Sequence, residues 1–592
     1  MTEVRLTETV AGVVPRVLVT SALPYVNNIP HLGNVVGSTL GADVYARYLR
    51  MIGRRVLYLC GSDCYGTTSE IKARQEGLTC REVCEKYHEI HKAVYSWFNI
   101  GFDIFGTTMT DTQTEITHEV FIGLYRNGHI EARDLDQMYC PTCDLYLADR
   151  YLQGVCYHDG CRGSGTRVVA NGDQCDKCGN LIDPFEFKEV WCSLCQGVPE
   201  RRRSRHLYLK LADFHDQLRD HFLGAEAGGA HLTDNARAIT KALLDGKLES
   251  RCITRNLKWG TPVPQHPDFP ELAEFKDMVF YVWFDAPLGY LSILKRGLRD
   301  HAHEGEWLEW LKGDTVYTFG VDNVPFHTVI YPATLLGSNP EKYPLPTHIN
   351  CTNYLDYQGK KFSKSRGVGI FGDDVVKISE RLEIDEDYWR YYLMRIRPET
   401  GDASFNWEEF YHLTRSDLSY KIGNLMNRCV AMSYKYYPPT DAEENVITFR
   451  YEWPCPTDFD DVKGIVDDYH KAFSRFKFRD ALACVIRLAE FGNGFIQKYT
   501  LWTLCRETPA EGSATLGTAC YVIRILIELM TPFMPRKAER LKTNFIADAD
   551  LNDMEHSRAG TIRVTNTGYG LPFPQMNPEI IKELATKALA GI

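Results

Sequence analysis

Apolar and polar residues near the N-terminus alternate in the order of a strand, a loop, a helix and a second strand. Residues 17–20 form a short apolar run, and a loop rich in proline and asparagine follows as far as Pro30. A helix is predicted from His31, because residues repeat on one face at helical spacing. That face comprises Leu32, Val35, Val36, Thr39 and Leu40. Residues 56–60 form the next buried strand, and this order predicts an open α/β sheet that binds ligands at the carboxyl ends of its strands.

The alternation of strands and helices breaks between about residues 125 and 258 and then resumes. The break contains a cluster of cysteines and a basic segment at residues 201–205. After it, residues 316–319 and 348–351 are predicted strands, and residues 324–336 are a predicted helix. This pattern indicates one α/β fold that is interrupted by an insertion and then completed.

From about residue 388 onward, the apolar positions recur mostly at helical spacing. One set is Leu418, Ile422, Leu425 and Cys429, and another is Val462, Ile465, Val466, Tyr469 and Phe473. Such repeats are typical of helices that bury one face against each other, so the C-terminal third is predicted to be a helix bundle.

Length, composition and charge narrow the class of protein. With 592 residues, the chain is too long for a single core and is expected to form about three to five domains. The net charge of -11 excludes a protein that coats nucleic acid through bulk charge, although a local basic surface would still bind phosphates. Arg524 and Glu528 interrupt the longest apolar run, and the N-terminus lacks the apolar core of a targeting signal. We therefore expect a cytoplasmic protein with no membrane partner.

Two short segments are suited to binding phosphates. The first, His31-Leu32-Gly33-Asn34, opens the first helix, where unpaired backbone N–H groups attract anions. The second, residues 360–367 with the sequence K-K-F-S-K-S-R-G, offers three lysines and two hydroxyl groups. Taken alone, the first segment is more often an ordinary helix start, and the second is more often a solvated charge run.

The two segments in this order resemble the signature of class I aminoacyl-tRNA synthetases. In these enzymes an amino-acid carboxylate attacks the α-phosphate of ATP, so catalysis is mainly positioning and charge stabilisation. The resemblance implies that His31 and Asn34 act at the α-phosphate and that Lys361 and Lys364 hold the β- and γ-phosphates. The implied ATP-binding residues are His31, Gly33, Asn34, Gly320, Asp322, Lys361, Ser363 and Lys364. Mg²⁺ is expected to bridge the ATP oxygens.

Three further segments, residues 21–25, 281–290 and 319–327, resemble methionyl-tRNA synthetases in particular. The resemblance implies a methionine pocket lined by Ala22, Leu23, Tyr25, Asp63, Trp283, Ala286, Pro287, Tyr290 and His327. Asp63 would receive the substrate ammonium, and the aromatic faces suit a thioether. Asn34 and Phe362 stand where many class I enzymes have histidine and methionine, and both variants resemble the eukaryotic-type cytosolic branch.

The cysteines between residues 140 and 195 form four pairs at metal-ligand spacing. The pairs are Cys140 and Cys143, Cys156 and Cys161, Cys175 and Cys178, and Cys192 and Cys195. Eight thiolates in such pairs predict two structural zinc sites of four sulfurs each. Because related single-zinc enzymes keep the middle two pairs, those four are assigned to one ion and the outer four to the other. Replacement of Cys156 by His158 as a ligand is the second alternative.

The resemblance also implies which residues bind tRNA and how the chain is divided. Asn424, Arg428 and Trp502 match the family's anticodon readers, since an indole stacks on bases and amide or guanidinium groups bond their edges. The implied fold is α/β, with a Rossmann-like catalytic domain in two halves at residues 1–124 and 259–365. A connective insertion with zinc knuckles occupies residues 125–258. Residues 366–410 form a stem-contact segment with the lysine loop at its start, and residues 411–592 an α-helical anticodon-binding domain.

The expected activity is that of a methionine–tRNA ligase with ATP, L-methionine and tRNA(Met) as substrates. A multi-synthetase complex is a further candidate partner.

Three other classes of protein are alternatives to this expectation. A non-tRNA adenylyltransferase would explain residues 31–34 but not the cysteine pairs or the helical end. A zinc-knuckle nucleic-acid-binding protein without catalysis would leave the lysine loop unexplained. Leucyl-, isoleucyl- and valyl-tRNA synthetases normally carry a larger insertion for editing, so the small insertion here disfavours them.

Overall fold

The computed structural model describes residues 15–147, 149–162, 167–172, 175, 177–178, 182–224, 229–301, 303–362, 368–439, 445–547, 551–566, 570 and 572–590. Its first segment alternates strands and helices as the sequence predicts. The strands are β1 (Arg16–Ser21), β2 (Arg55–Ser62) and β3 (Ile104–Thr107). The helices are α1 (Leu32–Asn34), α2 (Leu40–Met51), α3 (Thr67–Glu76), α4 (Cys80–Trp97) and α5 (Asp111–Arg126). A π-helical stretch, Val35–Thr39, joins α1 to α2.

The next segment is built mainly of short strands. Its strands are β4 (Ile130–Cys140), β5 (Leu145–Tyr146), β6 (Leu152–Val155), β7 (Val169–Asn171), β8 (Val190–Cys192), β9 (Glu200–Leu209), β10 (His231–Leu232), β11 (Arg251–Cys252) and β12 (Thr254–Arg255). Its helices are α6 (Asp159–Arg162), α7 (His215–Leu223) and α8 (Asp234–Asp245). The long strands β4 and β9 pair as an antiparallel ribbon, and a small sheet of β7, β6 and β8 lies at its end.

The third segment returns to alternating strands and helices. Its strands are β13 (Val279–Phe280), β14 (Asp314–Gly320), β15 (His348–Thr352), β16 (Leu355–Tyr357) and β17 (Ala403–Phe405). Its helices are α9 (Val282–Asp285), α10 (Gly289–Asp300), α11 (Trp307–Leu311), α12 (Tyr331–Ser338), α13 (Gly372–Leu382) and α14 (Glu386–Arg395). The predicted helix over residues 324–336 is divided, because a π-helical stretch, Phe326–Ile330, precedes α12.

The C-terminal segment is mostly helical. Its helices are α15 (Trp407–Leu413), α16 (Asn424–Tyr436), α17 (Pro456–Phe473), α18 (Phe478–Lys498), α19 (Leu501–Glu507), α20 (Pro509–Met530), α21 (Pro535–Lys542) and α22 (Pro578–Ala590). A third π-helical stretch, Thr414–Gly423, joins α15 to α16. The segment also contains an antiparallel sheet of β18 (Val446–Glu452), β20 (Ala559–Thr565) and β19 (Phe545–Ile546), which the helical pattern did not predict.

A parallel six-stranded sheet forms the centre of the catalytic domain. Its strand order is β10-β15-β14-β1-β2-β3, and β1 pairs with β2 on one side and with β14 on the other. Strands from before and after the insertion therefore belong to one sheet, which confirms the predicted split α/β fold. β10 lies within the predicted insertion but pairs with β15, so this part of the chain belongs to the catalytic sheet. The exact domain boundaries remain predictions.

The apolar repeats predicted for the C-terminal third face its core. Leu418, Ile422, Leu425 and Cys429 are fully buried, as are Val462, Val466, Tyr469 and Phe473, with Ile465 nearly so. α20 is also the one helix among the described residues that is long and apolar enough to cross a membrane. Of its most apolar window, 83% is buried inside this structure, and a core helix passes the same test of length and composition.

A buried arginine joins the catalytic domain to the helical segment. Arg390 on α14 is fully buried, and its Nη2 donates to Oδ2 of Asp43 on α2 at 2.7 Å. Its other N–H groups donate to the carbonyl oxygens of Phe98 at 3.0 Å, Pro532 at 2.9 Å and Phe533 at 3.0 Å. One guanidinium therefore satisfies buried acceptors from three parts of the chain, which fixes their relative positions.

We predict that Arg390→Met destabilises the protein by about 3–5 kcal/mol, because it leaves Asp43 and three carbonyl oxygens without their buried donor. Burial raises the pKa of Asp43, but Arg47 and Arg390 outweigh that effect and hold the pKa below its ordinary value. The contribution of the pair is therefore present at neutral pH and is lost as the pH falls through this lowered pKa. Urea unfolding followed by tryptophan fluorescence at two pH values measures both effects.

The matched control is Arg487→Met. Arg487 pairs with Asp468 at 2.8 Å, but both side chains are about half exposed, at 51% and 53%. Loss of this exposed ion pair should lower the free energy of unfolding by less than about 1 kcal/mol. Equal effects of the two substitutions would show that burial of Arg390 adds nothing to the stability.

Candidate active site

The first predicted phosphate-binding segment lies at the carboxyl end of β1 and begins the helix that follows. His31 is the residue before α1, and its Nδ1 accepts a hydrogen bond from the backbone N–H of Asn34 at 3.3 Å. In return, the Asn34 side-chain oxygen accepts from the backbone N–H of His31 at 3.1 Å. This reciprocal cap fixes both side chains. A Cβ on Gly33 would lie 2.9 Å from the imidazole, so glycine is needed there for the cap to form.

The cap also determines the protonation of His31. Because Nδ1 accepts a hydrogen bond, the proton of the neutral ring is on Nε2, which can donate to a ligand. Burial lowers the pKa of His31 to about 4, so the ring is neutral at physiological pH. The side chain therefore offers a neutral donor rather than a positive charge.

The lysine loop begins and ends against this turn. The ring of Phe362 stacks on the His31 imidazole, with centroids 4.4 Å apart and planes 7° from parallel. After the loop, the Ile370 carbonyl accepts from the N–H of Leu32 at 3.3 Å, and the N–H of Gly372 donates to the Pro30 carbonyl at 2.9 Å. The described start of the second predicted segment is therefore adjacent to the first segment, although about 330 residues separate them in sequence.

The lysines themselves are only partly described. Lys361 is exposed, and its Nζ lies 5.9 Å from the centre of the Tyr354 ring, at the rim of the site. The predicted ATP contacts Ser363 and Lys364 lie outside the described residues.

One cavity of about 580 Å³ brings most of the other predicted residues together. Its walls include every residue assigned to methionine, namely Ala22, Leu23, Tyr25, Asp63, Trp283, Ala286, Pro287, Tyr290 and His327. They also include the predicted ATP contacts His31, Gly33, Asn34, Gly320 and Asp322. The cavity lies at the carboxyl ends of β1, β2 and β14, where parallel sheets bind ligands.

Asp63 supplies a buried acidic group at the floor of the cavity. Its backbone N–H donates to the carbonyl of Pro24 at 2.9 Å, and its carbonyl accepts from Val26 at 3.2 Å, which holds the loop after β1 in place. The pKa of Asp63 is raised well above its ordinary value by burial and then by the nearby Asp285. A cation bound beside it would favour the ionised form, so the site is suited to an ammonium group.

The apolar part of the cavity has aromatic walls and one polar pair. The Trp283 ring stacks on Phe326 at 4.2 Å and meets Tyr25 edge-on at 5.8 Å. His327 donates from Nδ1 to the Asn323 carbonyl at 2.9 Å, so its Nε2 accepts from the Tyr290 hydroxyl, also at 2.9 Å. Burial lowers the pKa of His327 to about 4, which keeps this pair neutral.

Several cavity residues had not been assigned from the sequence. Phe326 lies inside a segment that resembles the family, and its stacking on Trp283 could have been suspected from that position. Tyr354 belongs to no such segment, yet its hydroxyl donates to Asp322 and its ring is near Lys361. Two of the π-helical stretches, Val35–Thr39 and Phe326–Ile330, border the cavity, as such stretches often do at functional sites.

The eight predicted metal ligands form two groups of four. One group is Cys140, Cys143, Cys192 and Cys195, and the other is Cys156, Cys161, Cys175 and Cys178. Within each group the sulfur atoms all lie within 4.8 Å of one another, and Cys156 rather than His158 completes the second. The closest sulfur pairs are 3.4 to 3.9 Å apart, too far for a disulfide. A tetrahedron of sulfurs at about 2.3 Å from zinc has edges of about 3.8 Å, so both groups fit that ion.

The predicted anticodon residues lie on two neighbouring helices of the helical segment. Asn424 is exposed at the start of α16, where its amide donates to Oδ1 of Asn493 at 3.2 Å. Arg428 follows one turn later on α16, and the neighbouring helix α19 carries Trp502. The Trp502 side chain is 39% exposed, so it is available for stacking.

Comparison with known proteins identifies the family. A family model described as tRNA synthetases class I (M) matches residues 17–430. A second, described as the anticodon binding domain of methionyl tRNA ligase, matches residues 457–585. The methionine–tRNA ligase of Acanthamoeba polyphaga mimivirus is 45% identical over 95% of this chain and 98% of its own length. The cytoplasmic enzyme of Saccharomyces cerevisiae is 40% identical over 90% of this chain, which spans 68% of the yeast protein.

Other relatives are longer than this chain. This chain is 41% identical to the human cytoplasmic methionine–tRNA ligase over 88% of its own length but spans only 55% of that protein.

Among solved structures, Mycobacterium tuberculosis methionyl-tRNA synthetase in complex with methionyl-adenylate has the same fold. The match has a TM-score of 0.72 at 21% identity and covers 95% of this chain and all of the other. The split sheet, the two family matches and these relatives show that the chain belongs to the class I methionyl-tRNA synthetases, the methionine–tRNA ligases.

Proposed function

We propose that this chain joins L-methionine to ATP as methionyl-adenylate, with release of pyrophosphate, and then transfers methionine to the 3′ end of tRNA(Met). The observation that supports the residue assignment is the single cavity, which is lined by segments from both halves of the catalytic domain. Two of the relatives named above, the yeast and human enzymes, are cytoplasmic, and we propose the same location for this chain.

In the first step, a methionine carboxylate oxygen attacks the α-phosphorus of ATP, and the bond to the bridging oxygen of pyrophosphate breaks. We assign to His31 the donation of its Nε2–H to the α-phosphate oxygens, where negative charge develops. Asn34 positions that imidazole, because the two residues cap each other. Lys361 and Lys364 are assigned to the departing pyrophosphate, and Mg²⁺ would arrive with ATP and neutralise its phosphates.

The same cavity would hold both ends of methionine. Asp63 is assigned to the substrate ammonium, since a buried carboxyl is most strongly stabilised by a cation at close range. Trp283 and Tyr25 offer aromatic surfaces to the thioether, and the neutral Tyr290–His327 pair presents polar atoms without a charge. Gly320 and Asp322 are assigned to the ribose of ATP.

We further propose that both cysteine groups bind structural zinc and that the helical segment reads the anticodon. Each cysteine group supplies four sulfurs, which leaves no open position for catalysis at a tetrahedral ion. Zinc would stabilise loops that are too small to bury a core. Asn424, Arg428 and Trp502 combine base-edge donors with an exposed indole, the groups that single-stranded bases require.

The proposed function predicts exchange of pyrophosphate into ATP that depends on methionine. Leucine and isoleucine should support exchange at least about a hundredfold less well, because a branched side chain lacks the sulfur that the aromatic walls would contact. Exchange is measured with each amino acid over the same concentration range. Exchange with leucine but not with methionine would refute the proposed substrate.

In the same assay, His31→Ala should raise the activation free energy of adenylate formation by on the order of 3 kcal/mol, because a hydrogen-bond donor to the α-phosphate is lost. The exchange rate should therefore fall about a hundredfold. Methionine binding should change little. The control is His215→Ala, which removes an imidazole that donates to the Leu244 carbonyl outside the cavity. Near-normal exchange by folded His31→Ala protein would exclude the assigned role of His31.

The zinc proposal predicts two zinc ions per chain by elemental analysis. Cys175→Ser should lose one ion and make the insertion more sensitive to protease, because a structural site contributes folding energy. Cys80→Ser, in a cysteine outside both groups, should keep both ions. A single zinc in fully loaded protein would contradict the two-site assignment.

The anticodon proposal predicts that base reading and activation can be separated. Trp502→Ala removes a stacking surface worth roughly 1–3 kcal/mol per base, so charging of tRNA should fall about tenfold or more. Pyrophosphate exchange, which needs no tRNA, should stay near its original rate. The wild-type protein should also reject a tRNA with an altered anticodon, and the variant should discriminate less. Equal loss in both assays would mean that Trp502 acts only in packing.

A further inference from the structure

A buried glutamate outside the cavity joins the insertion to the segment that carries Asp63. Glu70 lies on α3 and is only 9% exposed. Its Oε2 accepts a hydrogen bond from the Tyr151 hydroxyl at 2.7 Å, and its Oε1 accepts one from the backbone N–H of Trp259 at 3.2 Å. Because a buried carboxylate is costly unless its oxygens are hydrogen-bonded, these contacts hold the three residues together.

The first partner, Tyr151, belongs to the insertion and is fixed by it. Tyr151 is fully buried in the apolar core around the cysteine groups. Its carbonyl accepts from the backbone N–H of Ser193 at 2.9 Å, and Ser193 lies between Cys192 and Cys195 of one cysteine group. Glu70 therefore binds a residue whose position the cysteine-bearing part of the chain determines.

The second partner, Trp259, contacts the two residues that follow Asp63. Its Nε1 donates to the Cys64 carbonyl at 2.7 Å, and its ring meets the Tyr65 ring edge-on at 5.4 Å. The backbone N–H of Tyr65 in turn donates to Oδ1 of Asp63 at 3.4 Å. A shift of Trp259 would therefore move a group that bonds the Asp63 carboxyl itself.

We propose that Glu70 is a positioning residue for methionine, which holds Trp259 so that Asp63 keeps its place against the substrate ammonium. This role rests on the proposed function, which assigns Asp63 to that ammonium. Glu70 does not line the cavity, so it acts through Trp259 and not by touching the substrate. Pro24 and Val26 bond the backbone of Asp63, whereas Trp259 holds the residues after it. Loss of the Glu70 carboxylate should therefore displace the Asp63 carboxyl and leave the residues assigned to ATP in place.

The test measures how well the protein distinguishes methionine from methylthiobutanoate, the same molecule without its amino group. Glu70→Met keeps the length of the side chain but removes both acceptor oxygens. In pyrophosphate exchange, its KM for methionine should rise about tenfold, or about 1.4 kcal/mol, the size of one lost hydrogen bond. The inhibition constant of methylthiobutanoate should change less than about twofold, because that molecule has no ammonium. The kcat and the KM for ATP should also stay within about twofold, since only ground-state binding of one substrate is weakened.

Further variants separate this role from a general loss of structure. Glu70→Gln should recover most of the affinity for methionine, because its amide oxygen can accept from Trp259 and its amide N–H can donate to the Tyr151 hydroxyl. Tyr151→Phe should raise the KM for methionine several-fold, since it breaks the contact between Glu70 and the insertion. The matched control is Glu76→Met on the same helix. Glu76 also accepts from a tyrosine hydroxyl, that of Tyr87 on α4 at 2.8 Å, so its loss should leave the KM for methionine unchanged.

A double-mutant cycle with Asp63→Asn identifies the residue through which Glu70 acts. Affinity for methionine is measured by equilibrium dialysis in all four proteins. In the Asp63→Asn background, Glu70→Met should change this affinity less than about twofold, because the ammonium contact is already weakened. Independent effects of the two substitutions would overturn the proposal. An unchanged KM for methionine in Glu70→Met, or equal losses for methionine and methylthiobutanoate, would also overturn it.

Two other outcomes bear on the proposed function itself. Asp63→Asn protein that still prefers methionine to methylthiobutanoate as strongly as the wild type would refute the assignment of Asp63, and the role of Glu70 with it. Wild-type protein that exchanges pyrophosphate with another amino acid but not with methionine would refute the proposed function as a whole. A wild-type protein that exchanges with methionine, beside a Glu70→Met variant that binds methionine normally, would refute the role of Glu70 alone.

Discussion

The active site depends on the position of β1 in the centre of the parallel sheet. β1 pairs with β2, its neighbour in sequence, and with β14, which follows the whole insertion. The pairing continues past the strand, where the N–H of Ala22 donates to the Thr318 carbonyl at 2.9 Å. Because all six strands are parallel, their carboxyl ends meet at one edge, and the loops from both halves of the domain line one cavity. Loss of this long-range pairing would separate His31 and Asp63 from Trp283 and His327.

Side-chain contacts then join the parts that the sheet brings near. Phe362 stacks on His31, so the start of the lysine loop packs on the residue assigned to the α-phosphate. Arg390 bonds Asp43 and carbonyl oxygens of the helical segment, and Arg397 bonds Asn350 of β15 at 3.0 Å. Both arginines are fully buried, so the hydrogen bonds and ion pairs that each makes must offset the cost of burying its positive charge. These contacts fix the helical segment relative to the site.

Within the cavity, the two histidine side chains contribute no positive charge. His31 and His327 are neutral because burial lowers the pKa of each to about 4. Asp63 is the buried acid whose ionisation a bound ammonium would favour. Fixed neutral donors such as the Nε2–H of His31 would therefore meet the charge that the substrates bring.

The sequence determined the elements and the chemistry that depends on local spacing. Helical repeats identified the buried faces of the π-helical stretch Thr414–Gly423, of α16 and of α17, and the cysteine pairs identified the eight sulfurs of the two groups. The segments that resemble the family contain eight of the nine residues assigned to methionine, and the same resemblance named Asp63, which directly follows β2. The tertiary structure decided the contacts between residues far apart in the chain. These include the Phe362–His31 stack, the Tyr354–Asp322 bond, the addition of β10 to the sheet and the small sheet of the helical segment. No local pattern encodes them, since each depends on how separate elements pack against one another.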